Sequence, residues 1–495
     1  MQEKTPAEGA KKSRLRLLGT AGVLLLLAGW AAASLIAGSY FVPAPWTTVA
    51  DTAVLLSGVP TWTQILTTLL RVCAGFAAGL LCGVAAGIAM GARREIDALF
   101  KPLVLFFQGM PPLLWAIPLV ALMGIGHLPT IVVIALITFP VVAVTVAEGM
   151  STRPRELGEM LWIFAPGFFP RLRELVLPHL APFLAASVKA GLVLAVKASV
   201  TAEYFGANNG IGFQIQAAYM SLRIRSLFSW AAVLILIILV FNHLLPRIRH
   251  LVPLLRRATG AAGYSSPVAC SLDDIRELKG IFTSLTGTPR ISLDAVGFSW
   301  PRAEPLLGGV SISVPAHEIA VVSGESGIGK TTLLKLVAAL LKPAEGTVHC
   351  PDRKSFVFQD DRLLPWRTVA ENTALPLIYQ GYPGKNALCF SYYLLAEAGL
   401  AGEEQKRPAE LSGGMKKRAA LARCFARLPD AILLDEPFSG LHEEARVLLW
   451  EMFLRLLALH PVPALIVTHY PDEIAKQASC RLYALEGKPA RIVPR

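Results

Sequence analysis

Gly324-Glu325-Ser326-Gly327-Ile328-Gly329-Lys330-Thr331-Thr332 is the stretch whose reading decides what kind of chain this is. Glycines at this spacing let successive backbone N–H groups curl around a phosphate chain. Lys330 can set its charge on the terminal phosphates, and Thr331 can offer its hydroxyl to a magnesium ion. Glu325 and Ser326 fill the turn, and Thr332 leads out of it. Ahead of the loop, Ile319-Ala320-Val321-Val322 reads as a buried strand. Behind it, Thr332 to Leu340 reads as a helix whose N-terminus faces the anion. A chance glycine turn is the competing reading on this stretch alone, and the residues downstream exclude it.

Those residues come in a fixed order. Ser355-Phe356-Val357-Phe358-Gln359 reads as a strand ending in an amide, and Leu411-Ser412-Gly413-Gly414-Met415 precedes a helix. Ala431-Ile432-Leu433-Leu434-Asp435-Glu436-Pro437 is a buried strand ending in two carboxylates, and Ala464-Leu465-Ile466-Val467-Thr468-His469 a strand ending in histidine. ATP hydrolysis needs such groups. Asp435 suits Mg²⁺, Glu436 can orient and deprotonate the attacking water, and His469 can sense the γ-phosphate. Gln359 can complete the shell of metal and water. Singly, a carboxylate at a strand end is usually solvated and a lone histidine usually structural. Upstream, the alternation in Ile291-Ser292-Leu293-Asp294 and Val310-Ser311-Ile312-Ser313-Val314 predicts antiparallel strands.

The first half of the 495-residue chain differs in kind, because the long apolar runs that lift the hydrophobic content to 54% crowd there. Six membrane spans are expected, near Leu17–Ala37, Ile65–Met90, Leu103–Met123, Leu128–Ala147, Phe183–Tyr204 and Leu227–Leu245. Arg93, Arg94 and Lys101, then Arg153, Arg155, Arg171 and Arg173, then Arg247, Arg249, Arg256 and Arg257 follow alternate spans. The opposite loops carry only Arg223 and Arg225. The basic bias places the N-terminus in the cytoplasm, with an uncleaved first helix. The net charge of +12 thus belongs to membrane topology; with no basic stripe interleaved with aromatics, nucleic acid is not an expected partner. Seven cysteines without a Cys-x-x-Cys pair read as reduced cytoplasmic thiols. Within the fifth span, Lys197 is costly in hydrocarbon. It either snorkels or pairs with Glu203, or it lines a solute pathway.

Between the fourth and fifth spans, Glu159-Met160-Leu161-Trp162-Ile163-Phe164-Ala165 and Leu175-Val176-Leu177-Pro178 suit two short amphipathic helices broken at Ala165-Pro166-Gly167. This segment resembles the "EAA" loop of ABC-importer permeases, which inserts a coupling helix into the ATPase. Glu159 and Leu177-Pro178 match it; Met160, Leu161 and Ala165 depart from its Ala-Ala and Gly. The second half resembles the ATP-binding cassette ATPases over essentially its whole length, with Walker A at Gly324–Thr332, Q-loop at Gln359, signature at Leu411–Met415, Walker B at Ile432–Asp435 and switch histidine at His469. Trp300 matches the family's adenine-stacking aromatic, although a core tryptophan remains the alternative. Met415 stands where the signature usually has Gln, and His442 where the D-loop has Asp. The first departure implies altered nucleotide affinity, the second altered communication between sites.

The expected architecture is therefore an α-helical membrane domain of six transmembrane helices (1–249, coupling loop about 150–181), a linker (250–288) and an α/β P-loop NTPase domain of the ABC type (289–495). The permease and Leu363-Leu364-Pro365-Trp366 resemble the nitrate, sulfonate and taurine importer class. That resemblance implies ATP and Mg²⁺ as cofactors, with the nucleotide sandwiched between the P-loop of one copy and the signature of another. It also implies a homodimer in the bacterial inner membrane, a periplasmic or lipid-anchored solute-binding protein, and a small, anionic solute. Related permeases carry pyrimidine or vitamin precursors, and a membrane-anchored regulatory ATPase is the reading from a different class. An exporter is disfavoured by the importer-type loop.

Overall fold

The computed structural model describes residues 6–244, 270, 280 and 289–494. The chain divides into two compact units, Met1–Arg153 with His179–Val252, and Pro154–Pro178 with Pro253–Arg495. The expected linker, 250–288, lies outside the described residues apart from Cys270 and Gly280, as do Leu245, Arg247, Arg249, Arg256 and Arg257.

The first unit is helical. It holds α1 (Pro6–Ala37), α2 (Pro45–Ser57), α3 (Val59–Ala92), α4 (Arg94–Gly109), α5 (Pro112–Met123) and α6 (His127–Ser151). The chain then crosses the second unit as α7 (Arg155–Phe164), α8 (Phe168–Arg171) and a π-helical turn (Leu172–Val176). It returns as α9 (Leu177–Gly206), α10 (Ile211–Met220) and α11 (Ile224–Leu244). Among the described residues, five helices are long and apolar enough to cross a membrane. The expected third span, Leu103–Met123, is not one helix: α4 and α5 meet at 93°. Pro111 and Pro112 lie at the break, where two missing N–H donors and two locked φ angles stop the first helix and start the second. Six spans result only when this bent pair is counted as one.

Two features hold the helical unit together. Gly75, Gly79, Gly83, Gly87 and Gly91 form one edge of α3, and along it α3 meets α6 backbone to backbone. A Cβ at Gly75 would lie 2.7 Å from the Ile131 carbonyl oxygen, one at Gly83 2.7 Å from Val142 Cβ, and one at Gly91 2.5 Å from Met150 Cβ. The partners climb together, so the two helices run parallel. Small residues at four-residue spacing are how helices approach closely in lipid, where apolar burial gives no drive.

The second feature is a buried ion pair. Arg71 and Glu203, 1% and 0% exposed, meet at 2.9 Å. Arg71 Nε donates to His127 Nδ1 at 3.0 Å, and its NH1 also donates to the Asn209 carbonyl at 2.8 Å; its NH2 donates to Asn209 Oδ1. Glu203 Oε2 accepts from Thr68 Oγ1 and from the Gly212 N–H, both at 2.9 Å. Glu203 is thus committed to Arg71, which overturns the pairing of Lys197 with Glu203. Lys197 is exposed on α9, between buried Val196 and Ala198.

The second unit is α/β. A three-stranded sheet of β1 (Ile291–Ser299), β2 (Pro305–Val314) and β4 (Glu345–His349) is antiparallel in the order β2-β1-β4. The main sheet runs β5-β6-β7-β3-β8-β9, from β3 (Ile319–Gly324), β5 (Lys354–Val357), β6 (Ala431–Asp435), β7 (Ala464–Val467), β8 (Arg481–Glu486) and β9 (Arg491–Pro494). All its pairings but β8–β9 are parallel. Fully buried β6 and β7 carry the continuous apolar runs that a sheet covered on both faces demands. Around it lie α12 (Lys330–Val337), α13 (Val369–Tyr379), α14 (Gly384–Glu397), α15 (Gly413–Ala426), α16 (Glu443–Leu459) and α17 (Pro471–Ala475). The helix expected over Thr332–Leu340 is α12; it stops at Val337, and Ala339 turns left-handed at φ 59°.

The cysteine reading needs one correction. Cys270 and Cys389 form a disulfide, their Cα atoms 5.4 Å apart across 119 residues of chain. The partners lie in the linker and in α14, and spacing along the sequence carries no sign of that approach. Cys73, Cys82, Cys350, Cys424 and Cys480 are free.

Candidate nucleotide site and its docking hairpin

Adjacent parallel strands β6, β7 and β3 end at the same edge of the sheet, and three motifs sit just beyond those ends. This is the edge where open α/β sheets bind ligands. Lys330 Nζ donates to the carbonyls of Gly324 and Glu325 at 2.8 and 2.9 Å, holding the phosphate loop closed beneath it. Thr331 Oγ1 donates to Asp435 Oδ1 at 3.1 Å. His469 Nε2 lies 2.9 Å from Glu436 Oε1 and 3.4 Å from Lys330 Nζ. One nitrogen cannot both donate to the carboxylate and accept from the ammonium, so the shorter contact puts the proton on Nε2, facing Glu436. Thr331, Lys330, Asp435, Glu436 and His469 thereby form one constellation.

The backbone prepares it. Glu436 is left-handed at φ 46°, a conformation that costs a non-glycine residue about 1 kcal/mol or more, and its N–H is held by the Val467 carbonyl at 2.9 Å. A Cβ on Gly324 would press to 3.0 Å from the Leu485 carbonyl oxygen. The loop lines an open cavity of about 800 Å³ with His469 and the 484–488 segment. Burial pushes the Asp435 carboxyl up to about 6, with the Thr331 hydroxyl opposing and Glu436 reinforcing. Burial pulls Lys330 down, against the attraction of Glu436 and Asp435. Two carboxylates, one buried, beside a threonine hydroxyl make a hard-oxygen donor set that fits Mg²⁺, and the glycine-rich backbone fits a phosphate chain.

Other expected residues stand apart. Gln359 is exposed, and its carbonyl accepts from Lys417 Nζ at 3.2 Å. Trp300 is 46% exposed and stands edge-on to Phe298, so it is no core tryptophan. Ser412 caps α15, its Oγ accepting from the Met415 N–H at 3.3 Å, and Gly413 and Gly414 follow. None of residues 411–415 is among the described residues lining the phosphate-loop cavity. Met415 packs against the apolar core, a place that suits its thioether side chain. His442 begins α16 without a side-chain capping bond.

Residues 154–178 belong to the same unit as this site. Glu159 reaches Lys335 of α12 at 2.9 Å and Arg362 at 2.8 Å. Ala165 is buried where α7 ends, its N–H bonded to the Leu161 carbonyl at 2.9 Å. A second anchor went unread in the sequence. Glu174, 1% exposed, accepts from Arg367 through both oxygens at 2.7 and 2.8 Å, and from the Tyr379 hydroxyl at 2.6 Å. The available signal was an acid set directly before the apolar run Leu175-Val176-Leu177.

Residues 307–439 match the family described as "ABC transporter", and residues 75–256 that described as "Binding-protein-dependent transport system inner membrane component". The aliphatic sulfonates import ATP-binding protein SsuB 2 of Streptomyces avermitilis is 43% identical over 170 residues, which span 34% of this chain and 66% of that protein. SsuB 1 of Rhodococcus jostii is 39% identical over 196 residues, spanning 38% and 77%. The dimeric structure of MJ0796, a bacterial ABC transporter cassette, is 26% identical with a TM-score of 0.38, covering 41% of this chain and 96% of that one. With both matches on one polypeptide and the nucleotide motifs gathered at one sheet edge, the chain belongs to the ABC transporter family, as a binding-protein-dependent permease fused to its ATP-binding cassette ATPase.

Proposed function

We propose that the chain drives uptake of a small anionic solute across a bacterial inner membrane, using ATP and Mg²⁺, as a homodimer served by a solute-binding protein. The observation that carries this reading is the permease match at 75–256 and the hydrolytic constellation on one chain. Asp435 and Thr331 would hold the metal, and Glu436, with His469 hydrogen-bonded to it, is placed to take a proton from water. Lys330 carries the charge for the terminal phosphates, and Trp300, half exposed, is available to stack on a base. Ser412, Gly413 and Gly414 lie off the cavity that the same chain's phosphate loop lines. A second copy supplying them would complete the site, and this supports the homodimer.

A sulfonate or similar oxyanion is favoured by the names of the relatives. The exposed Lys197, with no ion-pair partner among the described residues, fits a pathway that attracts anions. A charge at mid-span costs roughly 2.5–3.5 kcal/mol on insertion scales, so its exposed face should meet water, solute or the second copy rather than lipid. The basic segments and the cassette would face the cytoplasm.

The test is uptake into cells expressing the chain with its cognate binding protein, using labelled taurine, an alkanesulfonate, nitrate, a pyrimidine and thiamine. Uptake of a sulfonate or nitrate that vanishes with Lys330→Ala supports the reading. Uptake of the pyrimidine or thiamine instead overturns the anionic assignment. ATPase activity with no uptake of any of them points to a regulatory ATPase.

A further inference from the structure

We propose that the buried clamp of Glu174, Arg367 and Tyr379 is the positioning element through which the nucleotide-binding unit moves α9, while the Glu159 contact serves only to hold the hairpin in place. This rests on the reading above that ATP drives a change in the membrane domain.

Four observations carry it. Glu174 sits in the π-helical turn Leu172–Val176, and that turn runs without a break into α9, the helix bearing Lys197. Single π turns are rare, and where they interrupt an α-helix they are frequently at functional sites. Secondly, the clamp is buried on both sides, with Arg367 and Glu174 side chains 6% and 1% exposed. A bidentate pair in such a place has one good geometry, and parting it would leave two charges without water. It therefore transmits a displacement instead of stretching. Glu159, by contrast, is 34% exposed, and its partners Lys335 and Arg362 are 23% and 11% exposed. Contacts of that kind loosen at little cost.

The third observation is how Arg367 is braced. Asn372, fully buried, staples the 364–368 turn: its Oδ1 accepts from the Leu364 N–H at 2.7 Å and its Nδ2 donates to the carbonyls of Leu364 and Thr368 at 3.1 and 3.0 Å. The fourth links this turn to the helix that follows the signature. Arg423 of α15, 1% exposed, donates to the carbonyls of Asp361 and Arg362 at 2.9 and 2.7 Å, and its guanidinium lies 5.0 Å from the centre of the Phe164 ring. Polar contacts thus tie α15 to residues 361 and 362, and five residues further along the same segment Arg367 grips Glu174 just ahead of α9. The clamp is the last of these links.

The full chain in lipid nanodiscs, carrying Ala190→Cys on the exposed face of α9 and Glu436→Gln to retain ATP, allows a direct test. The rate at which a water-soluble maleimide labels the introduced thiol is followed by peptide mass spectrometry with and without Mg-ATP. ATP binding is checked separately in each variant, and basal ATPase is read on matched chains with Glu436 intact. The expected parent result is a labelling rate that ATP changes several-fold. Glu174→Gln should bring that ratio to about one with basal ATPase within about twofold of the parent. Tyr379→Phe, which removes one hydrogen bond and keeps the ring, should roughly halve the effect, and Glu159→Gln should leave it nearly whole.

A parental ratio in Glu174→Gln overturns the proposal. So does loss of ATPase together with the ratio, which a merely structural pair would give. If Glu174→Gln fails to fold, an unchanged ratio in Tyr379→Phe overturns it. A parent that binds ATP without any change in labelling overturns it as well, whereas a parent that binds no ATP refutes the nucleotide reading beneath it.

Discussion

Glu203→Gln should cost far more than a change of one atom suggests. Every group facing the Glu203 carboxylate is a donor: Arg71 NH1, the Thr68 hydroxyl and the Gly212 N–H. An amide has one oxygen for these three, so its NH₂ must point at a donor. Arg71 then keeps only neutral acceptors, the Asn209 carbonyl and side chain and His127 Nδ1. Removing one partner of a buried pair costs about 3–5 kcal/mol. The surviving acceptors put this case at the lower end, about 3 kcal/mol, or roughly 150-fold in the folding equilibrium. Reversible unfolding in mixed micelles of dodecyl maltoside and SDS measures it, within a cycle that includes Arg71→Met. The double variant should recover much of the loss, because no charge is then left buried. A single-variant cost below about 1 kcal/mol, or strict additivity in the cycle, would refute the reasoning.

Three further outcomes are expected. Glu436→Gln keeps size and removes the base, so turnover should fall by about 10²-fold or more while ATP still binds; hydrolysis assayed at saturating Mg-ATP checks it, and near-normal turnover removes Glu436 from that role. Mixing Lys330→Ala chains with Ser412→Arg chains should create one interface free of both lesions, which binds ATP where neither parent does; a native mass showing only active monomer defeats the two-copy site. Lys197→Met should leave assembly and basal ATPase intact and abolish solute uptake, whereas persistent uptake makes the charge structural.

Motifs written at the ends of strands were legible because a few adjacent residues carry both the strand and its chemistry. Gly324–Thr332, Asp435-Glu436 and His469 needed only their order for the site to be read, and the sheet order β6-β7-β3 then brings them to one edge. Partners far apart in the chain were not legible. Arg71 and Glu203 are 132 residues apart, Arg367 and Glu174 193, Cys270 and Cys389 119; nothing local to either member names the other. Arg71 passed as one charge inside an apolar run, since hydropathy averages over the span. The break at Pro111-Pro112 was written in the sequence, yet length and apolarity outweighed it. Glu159 was readable and Glu174 was not, because only the first belongs to a recurring pattern.

The glycine edge of α3 has a consequence for how the helical unit finds its place. Its contacts with α6 recur every four residues, so sliding one helix by a single repeat, about 6 Å, sets most glycines against an equally acceptable neighbour. A repeating seam is adhesive but nearly blind to position, like a rack that meshes at every tooth. Arg71 stands one step before Gly75 in the same series, and its Nε meets His127, one step before Ile131 on α6. That contact occurs once and has no equivalent one tooth along. It works as an index mark: the glycines hold the two helices together, and the arginine tells them where to stop. Without the mark, the pair is expected to settle a tooth out of place sooner than to come apart.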